Sequence, residues 1–421
     1  MRIFCMTTGA GRDDNDLENL VIALSHSIHH YKPDKIIFFG SKNSEGMIKK
    51  IRQVCESHKK PINDTNFIEL SNIDSLTDCF NDICEIITAH HDDEIIMDYT
   101  SGTKSMVAAL CMAGLLHRKK LTLTSGKRDA TGKVRPGTTK VVEQPLYDAY
   151  DKIYFENVKR DFNTYRFDSA LDSLKEIVIR NGKPDFENII NGYKKWDLME
   201  WDDAYDLLKN INPDKFLSER FRNNKQFLGT LVSLKNRTNP EKKRERDTIR
   251  NPKEPYIMIL ADLLNNAHRR INEGKYDDAV SRLYRATELI SQIMLFEKGI
   301  DEINDRIYFS DIEKHVKNPS DLLKYEERID KQDTGGLRKD MGVRAKFQLL
   351  KDMGDERGWK RYSTLRSDME KRNQSILAHG LRPVGYETAK VFQESVVEFS
   401  YDIFGREKME DLIEKSKFPI L

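Results

Sequence analysis

Glu94-Ile95-Ile96-Met97-Asp98-Tyr99-Thr100-Ser101-Gly102-Thr103-Lys104-Ser105 is the stretch on which the fold of the first part of this chain turns. Glu94 to Met97 is a short run with apolar residues at consecutive positions, as expected of a parallel strand buried on both faces. Small and hydroxylated residues then lead into Ser105 to Leu116, an apolar helix. The same strand–turn–helix grammar recurs on either side. Arg2 to Met6 reads as a strand, Thr7-Thr8-Gly9 as its turn, and a helix follows from about Asp16 to His30. Lys35 to Phe39 is a second buried strand, closed by Gly40-Ser41 and another helical stretch. Leu121 to Thr124 and Thr139 to Val142 supply later strands, joined by a Gly-rich basic connection from Gly126 to Gly137. Strands and helices in alternation predict a doubly wound parallel sheet, with ligands at the carboxyl ends of its strands.

At such a strand end, small residues let backbone approach a ligand, and Thr or Ser caps the following helix. Unsatisfied N–H groups at a helix start attract anions, so Thr100 to Thr103 suit phosphate or ribose, and Lys104 adds charge. The order Gly102-Thr103-Lys104-Ser105 is not that of a Walker A loop, and no Gly-x-Gly-x-x-Gly follows the first strand. Both facts weigh against nucleoside triphosphate and NAD sites. On spacing alone the segment is equally compatible with a plain helix cap.

A buried strand ending in Asp98-Tyr99-Thr100-Ser101-Gly102-Thr103-Lys104, with Thr7-Thr8-Gly9 after the first strand, resembles the CRISPR-associated Rossmann fold (CARF) domain. The resemblance covers about residues 1–150. It implies a dimer holding a cyclic oligoadenylate across its two-fold axis. The residues it assigns to that ligand are Thr8, Gly9, Gly40, Ser41, Thr100, Ser101, Gly102, Thr103 and Lys104.

A chain of 421 residues exceeds one ordinary core and predicts two or three domains. Seventy basic residues nearly cancel sixty-nine acidic ones, so any surface for nucleic acid must be local. Five cysteines, Cys5, Cys55, Cys79, Cys84 and Cys111, form no Cys-x-x-Cys pair and suggest neither disulfides nor zinc. The expectation is small buried hydrophobes in a reducing cytoplasm, with no metal cofactor. The longest uncharged apolar run, Met106 to Leu116, falls short of the roughly 20 residues that span a bilayer. No apolar leader follows Met1, so a cytoplasmic protein without a membrane partner is expected.

Beyond about Tyr150 helices dominate. Phe167-Asp168-Ser169-Ala170, Trp201-Asp202-Asp203-Ala204 and Tyr276-Asp277-Asp278-Ala279 share an aromatic-Asp-x-Ala pattern. The first two stand about 34 residues apart, the period of tetratricopeptide helix pairs. The third breaks that register, which predicts packed helical hairpins rather than a repeat array. Lys235 to Lys253 is polar and basic, a linker or an RNA-contacting surface. The predicted division is a sensor domain over 1–150, a helical connector and basic linker over 151–255, and an all-α domain over 256–421.

In the last domain Leu365, Met369, Arg372, Ile376 and His379 follow one another at steps of four and three, forming one helical stripe. Arg and His thus interrupt an apolar seam, and buried charge is costly unless paired or used. Gly380 and Pro383 end the helix, whose negative pole favours a protonated His379. Metal-independent RNA transesterification fits: a His moves protons while an Arg stabilises charge on phosphate oxygens. Arg372 and His379 lie roughly 10 Å apart along the axis at 1.5 Å per residue, so a composite site across a dimer dyad is expected. An interhelical polar contact would use the same residues. Arg52 and His58, with five residues between them against six between Arg372 and His379, make a similar pair in the first domain, but without Asn after Arg.

Arg372-Asn373 followed by Leu377-Ala378-His379-Gly380 resembles the motif of HEPN ribonucleases. That resemblance implies a homodimeric, metal-independent endoribonuclease leaving 2′,3′-cyclic phosphate ends, with Arg372 and His379 catalytic and Asn373 supporting them. Arg282, Arg285 and Glu288, on the stretch Tyr276 to Phe296, read as solvated or supporting charges. A CARF-like domain followed by a HEPN-like domain is the order of ancillary type III CRISPR effectors. It implies a cyclic oligoadenylate as allosteric activator and single-stranded RNA as substrate. The rivals are degradation of the cyclic oligoadenylate by the sheet domain itself, and a non-catalytic nucleotide-sensing scaffold.

Overall fold

The computed structural model describes residues 1–9, 14–58, 62, 64–127, 135, 137–144, 146–178, 182–212, 219–237, 252–301, 303, 307–326, 341–373 and 380–421. They form two compact units, Met1–Ile153 and Tyr154–Leu421.

In the first unit β1 (Arg2–Thr7), β2 (Lys35–Gly40), β3 (Thr65–Glu69), β4 (Glu94–Asp98), β5 (Lys120–Ser125) and β6 (Lys140–Gln144) make one sheet, ordered β3-β2-β1-β4-β5-β6. The alternation of side chains along β1 explains its all-apolar sequence. Phe4 and Met6 pack under α1 (Asp14–Tyr31) and α2 (Glu45–Ser57), with Leu24, Ile28 and Ile51. Ile3 and Cys5 face the other layer, α3 (Leu76–Ala89) and α4 (Lys104–Leu116), with Ile83, Leu110 and Ala113. β1 through β5 pair in parallel, whereas β6 runs antiparallel to β5, with Leu123 opposite Val142. The doubly wound sheet is thus parallel through β5 and ends in one antiparallel strand. β5 and β6 are neighbours both in the chain and in the sheet, joined by residues 126–139, and antiparallel neighbours need no crossover helix. The sequence reading also passed over β3, an edge strand with no fully buried residue.

The second unit is helical. Its hydrophobic core is a single cluster reaching from Phe155 to Phe418, shared by helices such as Lys183–Asp197, Glu254–Asn272 and Tyr386–Phe404. The three aromatic-Asp-x-Ala segments open the helices Phe167–Lys175, Trp201–Leu208 and Tyr276–Glu297, and all three follow the same turn. In each, a residue with positive φ (Tyr165, Met199 and Gly274) ends the preceding helix. The next N–H reaches back five residues: Arg166 to Asp161 O, Glu200 to Lys195 O, and Lys275 to Arg270 O. This arrangement satisfies carbonyls at a helix end and reverses the chain. Ala170, Ala204 and Ala279 are fully buried, so the small residue of the pattern is a helix-contact point.

Charges are buried here too. Asp197 accepts from Arg269 Nε at 2.7 Å and Arg270 Nη2 at 2.5 Å, and the side chains of the three are 7%, 3% and 10% exposed. Beside them Asp262 accepts from the indole N–H groups of Trp196 (3.0 Å) and Trp201 (2.7 Å). Removing one member leaves the others desolvated without a partner. Asp197→Ala is therefore expected to destabilise the helical unit by about 3–5 kcal/mol, measured by urea unfolding; an unchanged midpoint would remove the network from the stability of the fold.

Candidate functional site

The parallel pairing of β1 with β4 sets Met6 against Asp98, bringing the two following turns together at the switch point of the sheet. Thr7 Oγ1 donates to the Ser101 carbonyl, and Gly9 N–H donates to Ser101 Oγ at 3.1 Å. A Cβ on Gly9 would lie 3.5 Å from the Gly102 backbone. Gly102 itself has φ of 123°, and a Cβ there would sit 3.1 Å from that of Thr7. A side chain at Gly102 is both strained and crowded.

On the other flank, Thr8 N–H and Oγ1 both donate to the Phe39 carbonyl at the end of β2, at 2.8 and 3.2 Å. A Cβ on Gly40 would collide with Ser44 Oγ and come within 2.7 Å of Thr8 Oγ1. Ser41 precedes the short 3-10 turn Lys42–Ser44, and its carbonyl accepts from Ser44 Oγ at 2.6 Å. Thr103 caps α4 as expected, accepting from Met106 N–H at 3.2 Å, and donates to Ile73 O at 2.7 Å. Thr100 Oγ1 accepts from Thr124 N–H on β5 at 2.7 Å.

The nine residues assigned by the resemblance thus divide by task. Thr8, Gly40 and Ser101 are buried and shape the crevice. The hydroxyls of Thr100 and Thr103 are committed to neighbouring backbone. Gly9, Ser41 and Gly102 are partly exposed, and Lys104 is exposed at the start of α4.

The sequence reading passed over the scaffold beneath. Asp98 is fully buried, and its Oδ1 accepts from Thr100 N–H at 2.8 Å. Ser27 of α1 and Thr124 of β5 share a 2.5 Å hydrogen bond, and Thr124 Oγ1 donates to Ala23 O at 3.1 Å. Burial pushes the Asp98 carboxyl above its ordinary 3.8, against the opposing hydrogen bonds from Thr100 and Ser27. Burial likewise drives the Cys5 thiol up to about 12. Cys5, Cys55 and Cys79 are buried, Cys84 and Cys111 partly so.

In the helical unit, Leu365 and Met369 are buried on the helix Arg357–Asn373, in keeping with the predicted stripe. That helix packs against Val343–Asp352 and Tyr386–Phe404. The backbone of Arg372 and Asn373 belongs to its end, but their side chains, Ile376 and His379 lie outside the described residues. Most of the basic stretch from 235 to 253 does too. Glu288 is not simply solvated: it accepts from Lys346 Nζ at 2.8 Å, on a side chain only 2% exposed, and from Arg285 Nη1 at 3.1 Å. Arg282 bonds Asn266 and Asp278. Arg52 is exposed along α2, where it bonds Thr65, and His58 is exposed just beyond the end of that helix.

The model of the Csm6 HEPN domain matches residues 248–402, and that of the Csm6 6H domain matches residues 150–236. Among solved structures, Csm6 of Enterococcus italicus bound to cyclic hexa-2′-fluoro-hexa-dAMP is similar over 99% of this chain and 98% of that one. Its TM-score is 0.63 at 12% identity, which is likeness of fold. The chain belongs to the CARF–HEPN family of type III CRISPR effectors. A second structure, Can2 from Sulfobacillus thermosulfidooxidans in complex with cyclic tetra-adenylate, covers 51% of this chain and 69% of its own at 13% identity, with a TM-score of 0.25. No curated protein matches the sequence. The HEPN match contains Arg372, Asn373 and His379, and the converging turns lie in the unit Met1–Ile153. No helix of this CARF–HEPN protein, among the described residues, is long and apolar enough to cross a membrane.

The raised carboxyl in the CARF unit has a consequence for pH. The folded state holds the Asp98 proton more firmly than the unfolded chain does. That stabilisation is complete below the ordinary 3.8 and is lost as pH rises through the raised value. Asp98→Asn keeps an acceptor for Thr100 N–H but does not titrate. Its melting temperature is expected to gain on the parent's as pH climbs from 3.8 and then level off. Parallel curves would show that Asp98 does not titrate differently on folding.

Proposed function

We propose that this protein is a cytoplasmic, homodimeric endoribonuclease that cleaves single-stranded RNA when a cyclic oligoadenylate occupies its CARF domain. The observation that carries the reading is the HEPN match over 248–402, which takes in Arg372-Asn373 and His379 together. A sheet unit whose turns converge at the switch point precedes it in the chain. The cyclic hexanucleotide in the Enterococcus italicus structure supports a ring of the same class here.

In this reading Gly9, Ser41, Gly102 and Lys104 meet the ring, while Thr8, Gly40, Thr100, Ser101 and Thr103 fix the loops that hold it. Backbone N–H groups at the start of α4 and the Lys104 ammonium attract its phosphates. In the HEPN dimer the ribose 2′-oxygen attacks the adjacent phosphorus and the 5′-oxygen leaves. His379 moves the proton, Arg372 stabilises the charge on the phosphate oxygens and Asn373 supports their geometry. The products are a 2′,3′-cyclic phosphate and a 5′-hydroxyl, and the step needs no metal ion. A ring that binds the active arrangement more tightly than the resting one shifts the dimer toward cleavage by that difference in affinity.

Fluorescent single-stranded RNA is expected to be cut in EDTA with one ring among cyclic tri-, tetra- and hexa-adenylate. His379→Ala should abolish cutting and leave ring binding intact. Silence with all three rings, or an unaltered rate in the variant, would overturn the assignment.

A further inference from the structure

The turns after β1 and β4 meet directly where Thr7 and Gly9 bond Ser101. A second route joins the same two parts of the unit, and it runs through Thr124 near the carboxyl end of β5. β4 and β5 pair in parallel up to Asp98 and Thr122, and Tyr99 N–H still donates to Thr122 O at 3.1 Å. One more rung of a parallel ladder would send Thr124 N–H to the Tyr99 carbonyl. It goes instead to Thr100 Oγ1 at 2.7 Å, so a side chain of the loop completes the ladder where the strand has ended. Thr100 is held at its N–H as well, by Asp98 Oδ1 at 2.8 Å.

The hydroxyl of Thr124 reaches the other way, to α1. Its Oγ1 donates to Ala23 O at 3.1 Å and shares a 2.5 Å hydrogen bond with Ser27 Oγ. Ser27 and Thr124 are both buried. α1 is the helix that follows the β1 turn, as α4 follows the β4 turn. Thr124 therefore grips the Thr100 loop with its backbone and α1 with its side chain. Thr122 lies two residues back, on the same face of β5 and equally buried. Its hydroxyl donates to Val142 O and accepts from Tyr31 OH, both at 3.2 Å, at the far end of α1.

We infer that Thr124 is a positioning residue for the cyclic oligoadenylate, setting the Thr100–Thr103 loop against α1. The inference rests on the proposed ring site. A loop already held in place loses less freedom when a ligand binds, so releasing the hold lowers affinity.

The test measures binding of cyclic tri-, tetra- and hexa-adenylate to the full-length protein by titration calorimetry, with hydrogen exchange read at the Thr100 amide. Thr124→Val keeps the shape of the side chain and loses its hydroxyl. It is expected to raise the Kd of the ring that binds the parent about 5- to 10-fold, the worth of one hydrogen bond, and to speed exchange at Thr100. Thr124→Ser brings the hydroxyl back and should restore both. Ser27→Ala removes the partner on α1 and should weaken the ring as well, which keeps the test decisive if Thr124→Val fails to fold. Thr122→Val breaks as many bonds on the same strand and should melt earlier while binding the ring as the parent does. A parent-like Kd in Thr124→Val or Ser27→Ala, no rescue by Thr124→Ser, or equal weakening in Thr122→Val would overturn the inference. A parent that binds none of the three rings would instead overturn the functional reading beneath it.

Discussion

The parallel register between β1 and β4 is the constraint on which the proposed ligand site depends. Because Met6 lies against Asp98, the turns that follow the two strands emerge side by side. They are close enough for Gly9 to bond Ser101 and for Thr7 to reach the Ser101 carbonyl. A slip of one residue would exchange the two faces of β1, sending Ile3 and Cys5 to the layer that Phe4 and Met6 occupy. The crevice and the core are therefore specified together. Glycines at 40 and 102 permit the approach, each at a point where a side chain would crowd the neighbouring turn.

The helical unit is organised by a different device. One core cluster runs through the 6H and HEPN matches, and Asp197 ties two arginines of the helix Glu254–Asn272 to the end of Lys183–Asp197. Ions buried so deeply contribute little net stability when complete and cost much when broken. Their effect is to make one packing of the helices far better than its competitors. Phe418 adds to this by covering the Arg269 guanidinium at 3.9 Å, close to the rings of Tyr193 and Trp196.

Central strands and long helices were legible because their periodicity is dictated by burial. β1, β2 and β4 are walled in on both faces and read as unbroken apolar runs. β3 escaped notice because an edge strand needs no such run, and the antiparallel direction of β6 was not legible because alternation of apolar residues carries no sign. The loop chemistry at Thr100 to Lys104 was visible as small and capping residues. Which hydroxyls would remain available was not, since Thr124 and Ile73 are remote in sequence from the threonines they engage. Asp98 sat in the quoted motif, yet only its burial separates a structural carboxyl from a ligand contact.

Two of the chain's three tryptophans, Trp196 and Trp201, point their indole N–H groups at the same carboxylate. An indole's emission responds to charge held against its ring and to the entry of water. The helical unit therefore contains its own optical gauge, native to the sequence, in which loosening of the helices around Asp262 changes colour before any label is attached.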